Sequence, residues 1–144
     1  MIIGIAGLGL IGGSFARAFK HDTPDTVLGY DRTRSVMLEA KMLDAIDGEL
    51  DDDRIGLCDQ IIVCMYPEAR VEYIKRNADR FKKGAIVTDA CGVKKYVCDE
   101  LMPFAKEHGF TFIGGHPMAG LERSGFDNST GKMFRNASMI LVPP

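Results

Sequence analysis

The sequence predicts a doubly wound α/β domain, a mostly parallel sheet with helices on both faces. Three observations predict it. Short apolar runs rich in Ile and Val recur at residues 1–6, 26–30, 60–65, 85–88, 111–113 and 139–142. Such runs suit strands buried on both faces, as in parallel sheets. Between them, apolar residues fall at helical spacing: Val71, Ile74, Ala78 and Phe81, then Val93, Val97, Leu101, Phe104, Ala105 and His108. The second set lies opposite Lys94, Lys95, Asp99, Glu100, Lys106 and Glu107, the pattern of an amphipathic helix. Finally, a glycine-rich turn follows the first run directly. Alternating strands and helices imply right-handed crossovers between parallel neighbours. Residues 45–47 suggest a short third strand. The polar stretch 117–136 shows no period and is expected to be a loop or a broken helix.

Length and composition narrow the possibilities. A chain of 144 residues suits one domain with its own core. With 46% hydrophobic and 26% charged residues it is neither disordered nor fibrous. A net charge of −2 without a Lys/Arg run offers no footprint for nucleic acid or an anionic membrane. Residues 1–16 carry no side-chain charge, yet they lack a basic lead and fall short of the ~20 residues a spanning helix needs. Cys58, Cys64, Cys91 and Cys98 form no C-x-x-C pair and no zinc spacing with histidines, which suggests reduced thiols in a cytoplasmic protein without a bound metal. The acidic stretch 49–53 lacks calcium-loop spacing and is read as a solvated loop.

The strongest motif is Gly7-Leu8-Gly9-Leu10-Ile11-Gly12, between the first strand and a helix. In this setting Gly7 permits the tight turn, Gly9 leaves room for a pyrophosphate, and Gly12 lets helix and sheet pack closely. The helix N-terminus offers free N–H groups and a partial positive charge to the phosphates. The second strand ends in Asp31, 24 positions after Gly7, where a carboxylate can accept from both hydroxyls of an adenosine ribose and repel a 2′-phosphate. The pattern therefore predicts a Rossmann-type domain that binds NAD in preference to NADP, although Arg32 and Arg34 could accommodate the phosphate.

Ligands of such sheets lie beyond the carboxyl ends of the strands. Met65, Tyr66 and Pro67 follow one run; Asp89, Cys91 and Gly92 follow the next; these are expected to border the nicotinamide end. His116, between glycines and a proline after the run at 111–113, is the candidate general base. Cys91 has no visible neighbouring base and reads as a packing thiol. Lys94 reads as a solvated first-turn residue, and His21 and His108 as solvent-facing near helix ends.

Residues 7–14 (GLGLIGGS), 88–94 (TDACGVK) and above all 114–125 (GGHPMAGLERSG) resemble the prephenate dehydrogenase family, as does the closing FRNASMILVP. The resemblance covers essentially the whole chain. It implies NAD-dependent oxidative decarboxylation of prephenate to 4-hydroxyphenylpyruvate in tyrosine synthesis, with arogenate as the alternative substrate. His116 matches the family's catalytic histidine and Glu122 a carboxylate at the mouth of the substrate site. Two positions depart from the family pattern: Gly92 stands where many members carry a serine, and Leu121 where a Ser or Thr is common. The resemblance further implies a C-terminal helical domain that makes a homodimer and completes the substrate site. The chain stops at Pro144, where that domain is expected to begin, so residues 1–144 are expected to bind NAD and turn over prephenate poorly, with an apolar patch where the second domain docks. A stand-alone NAD-sensing module is the other reading.

Overall fold

The computed structural model describes residues 1–144. Seven strands, β1 (Ile2–Ala6), β2 (Thr26–Tyr30), β3 (Gly48–Glu49), β4 (Gln60–Val63), β5 (Ile86–Asp89), β6 (Thr111–Pro117) and β7 (Met139–Val142), form one sheet in the order β3-β2-β1-β4-β5-β6-β7. All pairs are parallel except β6–β7. Four helices connect them: α1 (Leu10–Asp22), α2 (Arg34–Met42), α3 (Pro67–Asn77) and α4 (Lys95–His108). The chain leaves β1 towards β2 on one side and later returns to place β4 on the other. This reversal opens a crevice at the carboxyl ends of β1 and β4.

Strand periodicity divides the core in two. Ile3, Ile5, Val27 and Ile62 pack against Ala16 of α1 and Met37 and Ala40 of α2. Ala6, Leu28, Ile61, Val63, Val87 and Phe112 face Val71 and Ile74 of α3 and Val97 and Leu101 of α4. No helix is long and apolar enough to cross a membrane. On the α1 side the sheet is covered only in part. Ile62, Ile86, Ile113, Met139 and Leu141 line a hollow of about 350 Å³ with Phe15, Phe19 and Phe134, and Met139, Ile140 and Leu141 are exposed. This part of the surface is thus apolar and open to solvent.

Several boundaries differ from expectation for local reasons. The third strand lies at Gly48–Glu49 rather than 45–47. Ala45 and Ile46 are buried in the preceding turn, and the Asp47 carboxylate accepts the Val27 N–H (2.8 Å) while pairing with Lys20. α3 ends at Asn77, whose side chain donates to the Tyr73 carbonyl (2.9 Å), and Ala78–Arg80 continue as a 3-10 turn. Val93 lies outside α4 and is 72% exposed. β6 continues past Ile113 because Gly114–Pro117 find a partner in β7. His116 is thus a strand residue opposite Ile140, not a loop residue.

Burial of thiols sets the behaviour of the fold in alkali. Desolvation pushes the Cys58 thiol up to about 11 from its ordinary 9.0. Cys64, at the cleft, is shifted the same way. In the unfolded chain these thiols ionise first, so above pH 9 the folded chain holds more protons and stability falls as pH rises towards 11. Urea unfolding is expected to show constant stability between about pH 7 and 8 and a loss of about 2 kcal/mol from Cys58 alone by pH 10.5. A flat profile to pH 10.5 would contradict the burial argument.

Candidate cofactor and active site

The glycine turn closes on itself through backbone contacts that only glycine allows. Gly7 has φ +95°, and a Cβ there would lie 2.5 Å from the Cys64 carbonyl oxygen. A Cβ on Gly12 would overlap the Gly7 carbonyl. Gly9 is the opposite case: nothing lies within 4 Å of the place its Cβ would occupy. It faces the open cleft at the start of α1. The first intrahelical bond of α1 is donated by Gly13 to the Gly9 carbonyl (2.9 Å), so the preceding amides have no helical partner. The first turn carries no acidic residue and no side-chain cap. The amides at the positive pole of the helix are therefore uncapped and open, a fit for an anionic pyrophosphate.

Asp31 fastens this turn to β2. One carboxylate oxygen accepts the Leu8 N–H (2.9 Å) and the other the Thr33 N–H (2.9 Å). Each oxygen keeps a lone pair for a further donor. The cleft beside it, about 610 Å³, is lined by Gly7, Gly9, Leu10, Ile11, Asp31, Arg32, Met65, Tyr66, Pro67 and Cys91 among the expected residues. Sequence reasoning missed Tyr30, Tyr73 and Arg76 near the β2 end, Arg70 and Ala90 on the floor, and Arg123 and Ser124 on the rim. A signal for Arg70 did exist. It falls beside Val71 and one turn before Ile74, on the apolar stripe of α3, where an unpaired arginine has no place.

Leu8 and Asp89 require correction. The Leu8 side chain is fully buried in the α1 core and its N–H is taken by Asp31, so it supports the turn from below. Asp89 is 0% exposed and lies under the cleft. Its carboxylate accepts from the Gly115 N–H (2.9 Å), the Cys91 thiol (2.9 Å) and Lys94, and lies 3.3 Å from Arg70 Nη1. Arg70 in turn donates to the Met65 carbonyl. One carboxylate thus ties together the turns after β4 and β5 and the strand β6 itself. Lys94 is not solvated: it pairs with Asp89 and donates to the Gly115 carbonyl (2.6 Å). Burial, then the bond to Asp89, holds the Cys91 thiol above its ordinary value, which disfavours a nucleophilic thiolate.

Gly115 leads straight into His116. A Cβ added to Gly92 would lie 3.4 Å from His116 Cε1 and 3.5 Å from Nε2, so the imidazole stands over the Gly92 turn. No protein group bonds to its ring nitrogens, and it is partly open to solvent, next to the Cys91 end of the cleft without lining it. Glu122 is exposed and also outside the cleft lining.

The doubly wound sheet, the glycine turn and the carboxylate at the end of β2 define a nucleotide-binding domain of the dehydrogenase type. Residues 15–144 match the family described as prephenate dehydrogenase, nucleotide-binding domain, and the chain belongs to that family. It is 35% identical to the cyclohexadienyl dehydrogenase of Zymomonas mobilis over 98% of this chain and 48% of that protein. It is 32% identical to the prephenate dehydrogenase of Bacillus subtilis over 96% of this chain and 38% of that protein. The chain therefore spans less than half the length of these relatives. Among solved structures, Synechocystis arogenate dehydrogenase superposes with a TM-score of 0.90 at 29% identity, covering 100% of this chain and 50% of that one. Aquifex aeolicus prephenate dehydrogenase in complex with hydroxyphenyl propionate and NAD+ superposes at 0.89 with 27% identity, covering 100% of this chain and 51% of that one.

Proposed function

We propose that this chain is the cofactor-binding part of an NAD-dependent dehydrogenase that oxidatively decarboxylates prephenate to 4-hydroxyphenylpyruvate in tyrosine biosynthesis. The observation that carries the reading is the unbonded His116 imidazole at the end of a cleft built for a dinucleotide. Gly9 and the free amides of Leu10 and Ile11 hold the pyrophosphate, Asp31 the adenosine ribose, and Met65, Tyr66, Pro67, Cys91 and Gly92 surround the redox end. NAD, when bound, supplies the hydride acceptor. His116 takes the proton from the substrate hydroxyl, and the space that Gly92 leaves beside its ring admits that hydroxyl or a bridging water. Glu122 is assigned to the mouth of the substrate site. Arogenate is the second reading, favoured by the superposition on an arogenate dehydrogenase. A homodimer completed by a helical domain, and a cytoplasmic setting in keeping with four free thiols, belong to the same proposal.

The test separates binding from chemistry. Residues 1–144 are expected to bind NAD more tightly than NADP, with Asp31→Ala weakening NAD about tenfold. A strong preference for NADP overturns the role of Asp31. In the protein at its natural length, His116→Asn is expected to lower kcat about a thousandfold while NAD affinity stays within about twofold. Unchanged kcat removes His116 from the mechanism. Comparing turnover of prephenate and arogenate settles the substrate.

A further inference from the structure

The charges beneath the cleft do not sum to zero. Arg70 is 3% exposed, and the Lys94 side chain 15%; both pair with the single fully buried carboxylate of Asp89. The neighbouring thiols of Cys64 and Cys91 are neutral, held so by burial. The other charged groups lining the cleft, Arg32, Glu72, Arg76 and Arg123, are exposed to water, and Asp31, half-buried, serves the far end. Arg70 is also under-satisfied: its Nε and Nη1 are buried without a hydrogen-bond partner. A second cation on one buried carboxylate adds desolvation cost without completing neutralisation. One unit of positive charge is therefore left over in a poorly screened place.

Its position gives it a target. Asp31 marks the adenosine side and the glycine turn the pyrophosphate, so the nicotinamide half of a dinucleotide falls on the side formed by Met65, Ala90 and Cys91. Arg70 and Asp89 lie directly under those residues, bonded to the Met65 carbonyl and the Cys91 thiol. The oxidised ring is a cation. Arrival of a hydride, one proton with two electrons, makes it neutral. We infer that the excess charge of Arg70, Asp89 and Lys94 destabilises the oxidised ring, so that this cleft holds NADH more tightly than NAD+ and activates the bound cofactor as a hydride acceptor. This inference rests on the proposed occupancy of the cleft by NAD.

The experiment measures dissociation constants of NAD+, NADH and ADP-ribose, which lacks the ring, for wild type, Lys94→Met and Lys94→Arg. Wild type is expected to favour NADH over NAD+. Lys94→Met, which leaves Arg70 and Asp89 as a neutral pair, is expected to shrink that preference about tenfold or more, the order of magnitude of a single unit charge acting through a protein interior of effective dielectric about 20. A tenfold change corresponds to about 30 mV in the two-electron potential of the bound couple. The shift comes from tighter NAD+, ADP-ribose binding is unchanged, and Lys94→Arg keeps the wild-type ratio. If thermal unfolding shows that Lys94→Met does not fold, Arg70→Met is expected to move the ratio in the same direction. Equal affinities of the wild type for NAD+ and NADH overturn the inference outright. So does a ratio that Lys94→Met and Arg70→Met leave in place, or a uniform weakening of all three ligands, which marks a purely structural clamp. Failure of wild type to bind ADP-ribose overturns the cofactor reading itself, and this inference with it.

Discussion

Gly9→Val is expected to abolish measurable NAD binding while leaving the fold intact. The Cβ at this position meets no protein atom within 4 Å, so the substitution costs the folded chain at most about 1 kcal/mol for the changed helix cap. That same empty space is where the anionic bridge of the cofactor must approach the unpaired amides at the start of α1. Hydrogen bonds to a charged group are worth about 1.5–3 kcal/mol each, so displacing the phosphates by a valine's width weakens binding by about a hundredfold or more. Calorimetric titration alongside a thermal melt measures both quantities. Retained affinity with a normal melt would remove the glycine turn from the binding site.

Asp89→Ala is expected to produce the largest loss of stability of any single change at the site, about 3–5 kcal/mol in urea unfolding. The loss comes less from the missing bonds than from what remains. Arg70 and Lys94 would be left facing each other in a buried place without a counter-charge, and the Gly115 N–H would be orphaned. A double change, Asp89→Ala with Lys94→Met, is expected to recover about half the loss, because one stranded cation is gone. A loss below about 1 kcal/mol for the single change would show that water enters the floor of the cleft and screens the network.

Much of this architecture is legible in the sequence, because strand burial and helix periodicity are local properties. Six of the seven strands follow from Ile/Val runs, and the glycine turn announces its own geometry. What escapes are features decided by distant partners. His116 extends β6 because Ile140, far along the chain, supplies a partner strand. Lys94 looks like any exposed first-turn lysine until β5 and β6 bring Asp89 and the Gly115 carbonyl to its ammonium group. Asp89 looks like a cleft residue because the residues after a strand usually are; that it points downward depends on Arg70 from the preceding unit. The rim residues Arg123 and Ser124 belong to a segment without a period, placed by Phe126 rather than by any pattern of their own.

That anchoring of Phe126 reaches further. A Cβ on Gly13 would meet the Phe126 ring at 2.8 Å and Ser129 at 2.9 Å. Ser14 Oγ accepts the Thr130 N–H (3.0 Å), Arg17 Nε donates to Ser129 Oγ (2.9 Å), and the Arg17 guanidinium lies over the Phe126 ring. The strap carrying Arg123–Gly125 is thus bolted to the same helix whose opening turn greets the ligand. Two borders of the mouth, the opening turn of α1 and the strap, therefore share one anchorage, and loosening Phe126 would disturb both together.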